Sequence, residues 1–193
     1  MVEKPYDWPS GAPLSDHSRR KHKILREYFA KYLGVRCQKP QQERFRLAVV
    51  DGFAGGGRYR CGTAGSPLII IDELKRAIEI VNTQRVAQGF NLIEIECLLI
   101  LNDNNRVAVE FLKENISPLM VEIIDGCPKL HIQLNYFNDK FEVIYPQIKQ
   151  LIEQGSYRNV LFNLDQCGHS EVERETLLDI MRSYPSVEIF YTF

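Results

Sequence analysis

The sequence lacks the signatures of several common classes of protein. Its five cysteines are widely scattered and never form a Cys-x-x-Cys pair, which argues against a zinc site and against a disulfide framework. No apolar run approaches the roughly 20 residues that a membrane helix needs, and no basic-then-apolar leader begins the chain. No Gly-Lys-Ser or Gly-Lys-Thr closes a phosphate loop, so nucleotide hydrolysis is not expected. These absences predict a reduced, cytoplasmic protein without a membrane segment.

The chain also has no large excess of positive or negative charge. The 193 residues include 24 basic and 25 acidic side chains, so any binding of nucleic acid must rest on a local patch rather than on net charge. The length and the 45% hydrophobic content suit one globular domain. We expect residues 1–44 to form an arm and a basic helix, and residues 45–193 to form the domain.

Apolar periodicity predicts alternating strands and helices after an extended arm over residues 1–14. A first helix is expected from Ser15 or Asp16 to Gly34, where the glycine ends it. Short apolar runs predict five strands, at residues 45–50, 93–101, 130–136, 159–164 and 187–193. Helical patterns fall between them, at residues 66–88, 107–115, 141–154 and 171–183, with Ser66 as the cap of the first of these. This alternation predicts an α/β fold with a doubly wound parallel sheet.

An acidic residue follows each of the first four predicted strands. These residues are Asp51, Asp103, Asp139 and Asp165. Doubly wound sheets bind ligands beyond the carboxyl ends of their strands, and carboxylates accept hydrogen bonds from ribose hydroxyls and amino groups. A nucleoside-containing cofactor is therefore expected at this edge, although capping of the next helix explains any single one of these residues equally well.

The loop after the first strand combines an acid with several glycines. Its residues are Asp51, Gly52, Phe53, Ala54, Gly55, Gly56 and Gly57. Glycines allow the backbone to approach a ligand closely. Gly55 and Gly57 match the first two positions of Gly-x-Gly-x-x-Gly, but Arg60 occupies the third, which makes an NAD-type oxidoreductase the less favoured interpretation. S-adenosylmethionine carries no phosphate, so it needs close approach and an acid, and Asp51 meets that need.

These residues resemble a known group of proteins. The segment 51–57 resembles the Phe-Ala-Gly-x-Gly first motif of class I methyltransferases. More narrowly, the chain is similar to the three-Cys-motif partner protein family in its arm, its Lys/Arg-rich first helix and its motifs, which include Trp8, Gly11, Gly65-Ser66-Pro67 and Asn163-Leu164-Asp165-Gln166-Cys167-Gly168. The resemblance implies a Rossmann-like methyltransferase sheet in strand order 3-2-1-4-5, lacking its last two strands. It also implies S-adenosylmethionine as cofactor and a radical-SAM-like partner protein bearing three cysteines.

The resemblance further implies how the cofactor is held. The methionine end would lie on Asp51, Gly55 and Gly57, and the loop residues Gly52, Phe53 and Ala54 would complete that part of the site. Asp103 would bind the ribose hydroxyls, with Asn102 as the alternative. Asn138 or Asp139 would bind the edge of the adenine. All these residues are expected to line one cavity.

The loop after the fourth strand supplies the candidate catalytic residues Asp165, Gln166, Cys167 and Gly168. It keeps the acid and the glycine expected from the resemblance but lacks the proline and the aromatic residue that hold a target amine. Cys167 as a nucleophile is one interpretation, and a spare buried thiol is the favoured one. His169 as a base is likewise less favoured than a place at the start of the next helix.

The substrate is indicated only by local charge. Arg58, Tyr59 and Arg60 suit contact with a phosphate backbone and a base, whereas the basic run 19–23 is explained equally well as a solvated helix face. We expect a methyltransferase acting on a nucleic-acid or related substrate, or else a catalytically silent binding subunit. The apolar strand 187–193 with no sequence after it predicts either a truncated sheet or self-association through that strand.

Overall fold

Strands and helices alternate along the chain in the computed structural model, which describes residues 7–8, 10–166 and 171–192. The elements are α1 (Asp16–Arg36), β1 (Arg44–Asp51), α2 (Ser66–Ala87), β2 (Glu94–Asn102), α3 (Arg106–Gly126), β3 (Leu130–Phe137), α4 (Phe141–Gln154), β4 (Asn159–Asp165), α5 (Arg174–Ser183) and β5 (Ser186–Thr192). Every strand boundary lies within one residue of the predicted one.

The five strands form one parallel sheet in the order β3-β2-β1-β4-β5. This confirms the predicted α/β class and the strand order 3-2-1-4-5, and it is consistent with a Rossmann-like fold. The central strands β1, β2 and β4 are almost entirely buried, because helices cover both faces of the sheet.

Alternate residues of each strand contribute to two separate cores. Leu47 and Val49 of β1 belong to the core that packs beneath α1, α2 and α3. Ala48 and Val50 belong to the core beneath α4 and α5. The sheet therefore lies between a layer of three helices and a layer of two, and its carboxyl edge is left for the loops.

Two helix ends differ from the predictions. The first helix continues through Gly34 to Arg36, and Cys37 then donates its backbone N–H to the Leu33 carbonyl. Gly34 stays helical because the apolar contacts of Leu33 and Cys37 on either side hold the last turn against the core. The second helix has Gly65 rather than Ser66 as its N-cap, so that Ser66 lies in the first turn.

The third helix is more than twice as long as predicted. It was expected over residues 107–115 but runs over Arg106–Gly126, with Pro118 inside it. Buried Leu112, Ile116 and Ile123 continue the helical spacing past the proline, and this packing outweighs the backbone hydrogen bond that proline removes. The last helix begins at Arg174 instead of residue 171.

Two further findings concern the cysteines and the ability of the helices to span a membrane. Among the described cysteines, Cys37, Cys61, Cys97 and Cys127 are all free thiols. Within the described ranges, every helix is too short or too polar to cross a membrane.

Candidate functional site

A cavity of about 240 Å³ lies at the carboxyl edge of the sheet. It is bounded by the loops after β1 and β2, by the end of β4 and by the first turns of α1. Its described lining combines three aromatic rings, three carboxylates, one lysine and one histidine, namely Trp8, Phe53, Tyr59, Asp103, Asp165, Glu171, Lys21 and His22. Ala54, Gly55, Gly65 and Ser66 complete the wall where the chain turns from β1 into α2.

Asp51 lies beneath the cavity and is fully buried. Asn163 of β4 donates its side-chain amide to Asp51 Oδ1 at 3.0 Å. Asp51 Oδ2 is buried without a well-placed donor in the described part of the chain, although the Ser66 hydroxyl is near enough to lower the pKa somewhat. Burial dominates and raises the pKa of Asp51 to about 7. A proton therefore resides on this carboxyl group for part of the time at neutral pH.

Asp103 braces the glycine loop as well as lining the cavity. Its Oδ2 accepts the backbone N–H of Gly55 at 2.9 Å, and its Oδ1 accepts that of Asn105 at 2.8 Å. Burial raises the pKa of Asp103, and these two hydrogen bonds oppose that rise. Asn105 in turn caps α3 with its side chain. One carboxylate thus fixes the loops after β1 and β2 relative to each other.

Asn102 joins three loops below the cavity. Its side-chain amide donates to the carbonyls of Gly52 and Asp139, at 3.0 Å each. Its Oδ1 accepts the backbone N–H of Asp139 at 3.3 Å. Since Asn102 is buried and uses both ends of its amide on the backbone, its place is structural support for the edge.

The glycine loop is covered by Trp8 from the N-terminal arm. A Cβ atom on Gly55 would lie 2.4 Å from the Trp8 ring, and one on Gly56 would lie 2.7 Å from it. Gly55 also has a φ of +60°, which a residue with a side chain rarely adopts. A Cβ atom on Gly57 would likewise come too close to the side chains of Leu68 and Leu112. These glycines are therefore required by packing inside the protein, and only Gly55 among them lines the cavity.

The acid at the end of β4 is already paired. Lys21 of α1 forms an ion pair with Asp165, and the Thr192 hydroxyl of β5 donates to the same carboxylate. Gln166 next to it donates to the Tyr191 hydroxyl at 2.8 Å and accepts the Glu171 N–H at 2.9 Å. The predicted catalytic residues Cys167 and Gly168, together with His169, lie outside the described residues.

His22 of α1 also lines the cavity. Its ring lies 5.5 Å from that of Tyr59, which in turn lies 5.2 Å from Trp8. Its Nδ1 is buried and has no hydrogen-bond partner within the described ranges. Burial lowers the pKa of His22 below 6.5, so the neutral form predominates at neutral pH.

The structure brings together only part of the predicted cofactor site. Of the predicted residues, Phe53, Ala54, Gly55 and Asp103 line the cavity, while Asp51, Gly52 and Gly57 are buried and are not among its lining residues. The expectation of one shared cavity does not extend to the loop after β3. Asn138 and Asp139 are exposed there, and they bond to the Asp103 carbonyl and the Lys140 N–H, at 2.8 and 2.7 Å.

Three residues of the site have no assigned role in the sequence analysis. Trp8 was cited only for the family resemblance of the arm, Lys21 belonged to a basic run that suits a phosphate contact and a solvated helix face equally well, and His22 was given no role of its own. Long-range packing places each of them, and the polar positions along α1 carry no local signal that selects Lys21 over its basic neighbours.

Comparison with known proteins adds no family to this description. No protein-family model matches the chain. No curated protein has significant sequence similarity to it. The fold and the site therefore define a doubly wound α/β protein with a small polar and aromatic cavity at its carboxyl edge.

Proposed function

We propose that this protein binds S-adenosylmethionine in the carboxyl-edge cavity and transfers its methyl group to a nucleic-acid or related substrate. The observation that carries the proposal is the composition of the cavity lining. Three carboxylates, Asp103, Asp165 and Glu171, face one lysine among the described lining residues, and three aromatic rings complete the wall.

The charge of this lining favours one class of nucleoside cofactor. A sulfonium group and an amino group are cationic, and carboxylates attract them. A pyrophosphate is dianionic, and the same carboxylates repel it. The volume of about 240 Å³ lies just below the range of roughly 300–1,000 Å³ typical of small-molecule sites. These two features favour S-adenosylmethionine over NAD.

The residues present fit such a cofactor. Asp103 and Glu171 supply acceptors on the wall of the cavity, whereas Asp51 is fully buried beneath it. Phe53, Gly55 and Asp103 would hold the cofactor from the sheet side, and Lys21 would meet its carboxylate. When bound, the cofactor supplies an electrophilic methyl group on a sulfonium. The roles of the chain are to orient it through Asp103 and to exclude water with the buried indole of Trp8.

A nucleic-acid substrate is supported by charge near the cavity. Arg58 and Arg60 are exposed in the loop that follows the glycines, and Tyr59 between them lines the cavity. Arginines of this kind bind phosphates, and an aromatic ring stacks on a base. The acceptor would approach from this side.

One observation favours a catalytically silent subunit as the second candidate. Asp165 is the acid that would hold an acceptor group, and Lys21 and Thr192 already engage it. A protein that binds the cofactor without transferring methyl groups would tolerate such a blocked acid. In that case the fold would serve to engage a partner, such as the radical-SAM-like protein that the family resemblance implies.

The two candidates are separated by an assay of methyl transfer. The protein is incubated with methyl-labelled S-adenosylmethionine and, in separate reactions, total RNA, DNA and protein. Label in one class of acceptor, lost in Asp165→Asn and kept in Asp125→Asn, supports the enzyme; Asp125 is an exposed acid on α3 that serves as the control. Cofactor binding without transfer to any class supports the silent subunit. Absence of cofactor binding contradicts both.

A further inference from the structure

The strand β3 is an unprotected edge of the sheet. No strand in the described parts of the chain pairs with its outer side. Its eight residues, Leu130–Phe137, include no Asp, Glu, Lys, Arg, Pro or Gly. Edge strands in proteins usually carry a charge, a proline or a bulge that prevents pairing with another chain. The opposite edge strand, β5, carries such a charge, Glu188.

Apolar surface lies directly beside this edge. A groove of about 570 Å³ follows the first half of β3. Met120 and Ile124 line it from the end of α3, Pro128 lines it from the turn after that helix, and the ion pair of Arg46 and Glu96 also lies in its wall. Ile124 is 73% exposed, the highest value among the exposed large apolar side chains of the described residues. The unpaired edge and the exposed apolar side chains therefore form one continuous surface.

We propose that this surface, β3 together with the exposed end of α3, binds a second copy of the same chain through antiparallel pairing of the two β3 strands about Leu134. In that register each residue lies opposite the residue that is equally far from Leu134 in the other direction. Paired side chains therefore point to the same face of the sheet. Ile132 comes opposite Tyr136 of the second copy, an apolar and aromatic pair of the kind that stabilises strands.

The charges just outside β3 favour a second copy of this chain over an unrelated strand as the partner. The same register places Lys129, which also bonds to Glu94 of its own chain at 2.7 Å, near Asp139 of the second copy just outside each end of the pairing, so opposite charges come together twice by symmetry. No like charges come opposite each other between them, because β3 itself carries none of Asp, Glu, Lys or Arg. The sequence of this edge is thus complementary to itself.

The dimer is tested first by sedimentation at several concentrations, with no cofactor present. The wild-type chain is expected to dimerise, and Gln133→Lys and Ile124→Lys are each expected to weaken dimerisation at least tenfold. Both positions are exposed, so the fold should survive. Val121→Lys is the matched control, because Val121 is 57% exposed on the same helix and does not line the groove. A monomer at every concentration, or a control that weakens the dimer as much as Ile124→Lys, overturns the proposal.

The register is tested by cross-linking. Leu134→Cys is expected to form a disulfide between two copies, because opposite residues of an antiparallel pair lie about 4.5–5.5 Å apart at their Cα atoms. Exposed Cys61 is first replaced by serine to remove background. Glu188→Cys on β5 is expected to stay unlinked. Cross-linking at position 188 and not at 134 would place the interface at β5 and overturn the proposal.

Discussion

Lys21 of α1 forms an ion pair with Asp165 at the end of β4, across 144 positions of the chain. Both side chains are mostly buried, at 17% and 24% exposure. The helix that precedes the sheet is thereby attached to the carboxyl edge, where it closes one side of the cavity. The pair also neutralises the acid that the fourth-strand motif would present to a substrate.

This ion pair should contribute measurably to stability. In a double-mutant cycle with Lys21→Gln and Asp165→Asn, we expect a coupling free energy of about 1–2 kcal/mol, larger than that of an exposed pair because water screens these charges less. Urea unfolding of the wild type, both single variants and the double variant measures it. The pair Lys23 and Glu27, exposed on the same helix, is the control and should couple by roughly 0.5 kcal/mol or less. Equal coupling in the two pairs would contradict the burial argument.

Asp51 should make stability depend on pH. Burial raises its pKa to about 7 in the folded protein, whereas an aspartate in an unfolded chain titrates near pH 4. The folded state keeps the proton in this window and the unfolded state loses it, so the free energy of unfolding falls as pH rises from about 4 to about 7. We expect Asp51→Asn to gain stability relative to the wild type across this window, by up to ~1.4 kcal/mol per pH unit. Urea unfolding from pH 4.5 to 8 checks this; a difference that stays constant with pH would rule it out.

The contact between Trp8 and the glycine loop gives a spectroscopic prediction. Trp8 is the only tryptophan of the chain and is 7% exposed. Gly56→Ala would place a methyl group 2.7 Å from its ring, so we expect a red-shifted emission and a loss of about 1–3 kcal/mol of stability. Gly34→Ala is the control, since its Cβ would meet nothing within 4 Å. It should leave the emission unchanged and stabilise α1 by about 0.5–1 kcal/mol. Unchanged emission in Gly56→Ala would mean that the indole does not pack there.

Asp103 should matter for cofactor binding and Asp139 should not. Asp103→Ala is expected to weaken binding of S-adenosylhomocysteine by about 1–3 kcal/mol, roughly 5- to 150-fold, through loss of charge-assisted hydrogen bonds. Asp139→Ala should leave the dissociation constant unchanged, because Asp139 is exposed outside the described lining of the cavity. Calorimetry of both variants measures this. A larger loss of binding in Asp139→Ala than in Asp103→Ala would indicate that the loop after β3 binds the edge of the adenine.

The fold was predictable where the signal is local. Short apolar runs and helical spacing between them identify all five strands and the alternation, and alternation constrains the sheet to a doubly wound form. The length of α3 was not predictable, because Pro118 interrupts the local pattern while contacts with the sheet continue the helix. Packing between side chains far apart in the sequence decides such cases, and the local sequence pattern does not encode this packing.

The candidate site was predictable only in part for the same reason. Asp51, Gly55 and Asp103 follow strands, so their convergence at one edge follows from topology alone. Trp8 and Lys21 reach the cavity from the arm and from α1, through tertiary contacts with no sequence periodicity. The loop after β3 was expected at the cavity because strand ends converge, but Asn138 and Asp139 turn outward.

Calorimetric titration of the wild-type chain with S-adenosylhomocysteine, S-adenosylmethionine and NAD, with Trp8 emission followed in parallel, tests the central claim most directly. The account predicts saturable binding of both S-adenosyl compounds at one site per chain, with a change in Trp8 emission because the indole lines the cavity. It predicts no binding of NAD at the same concentrations. Binding of NAD in preference to the S-adenosyl compounds, or no binding of any of the three, would contradict it.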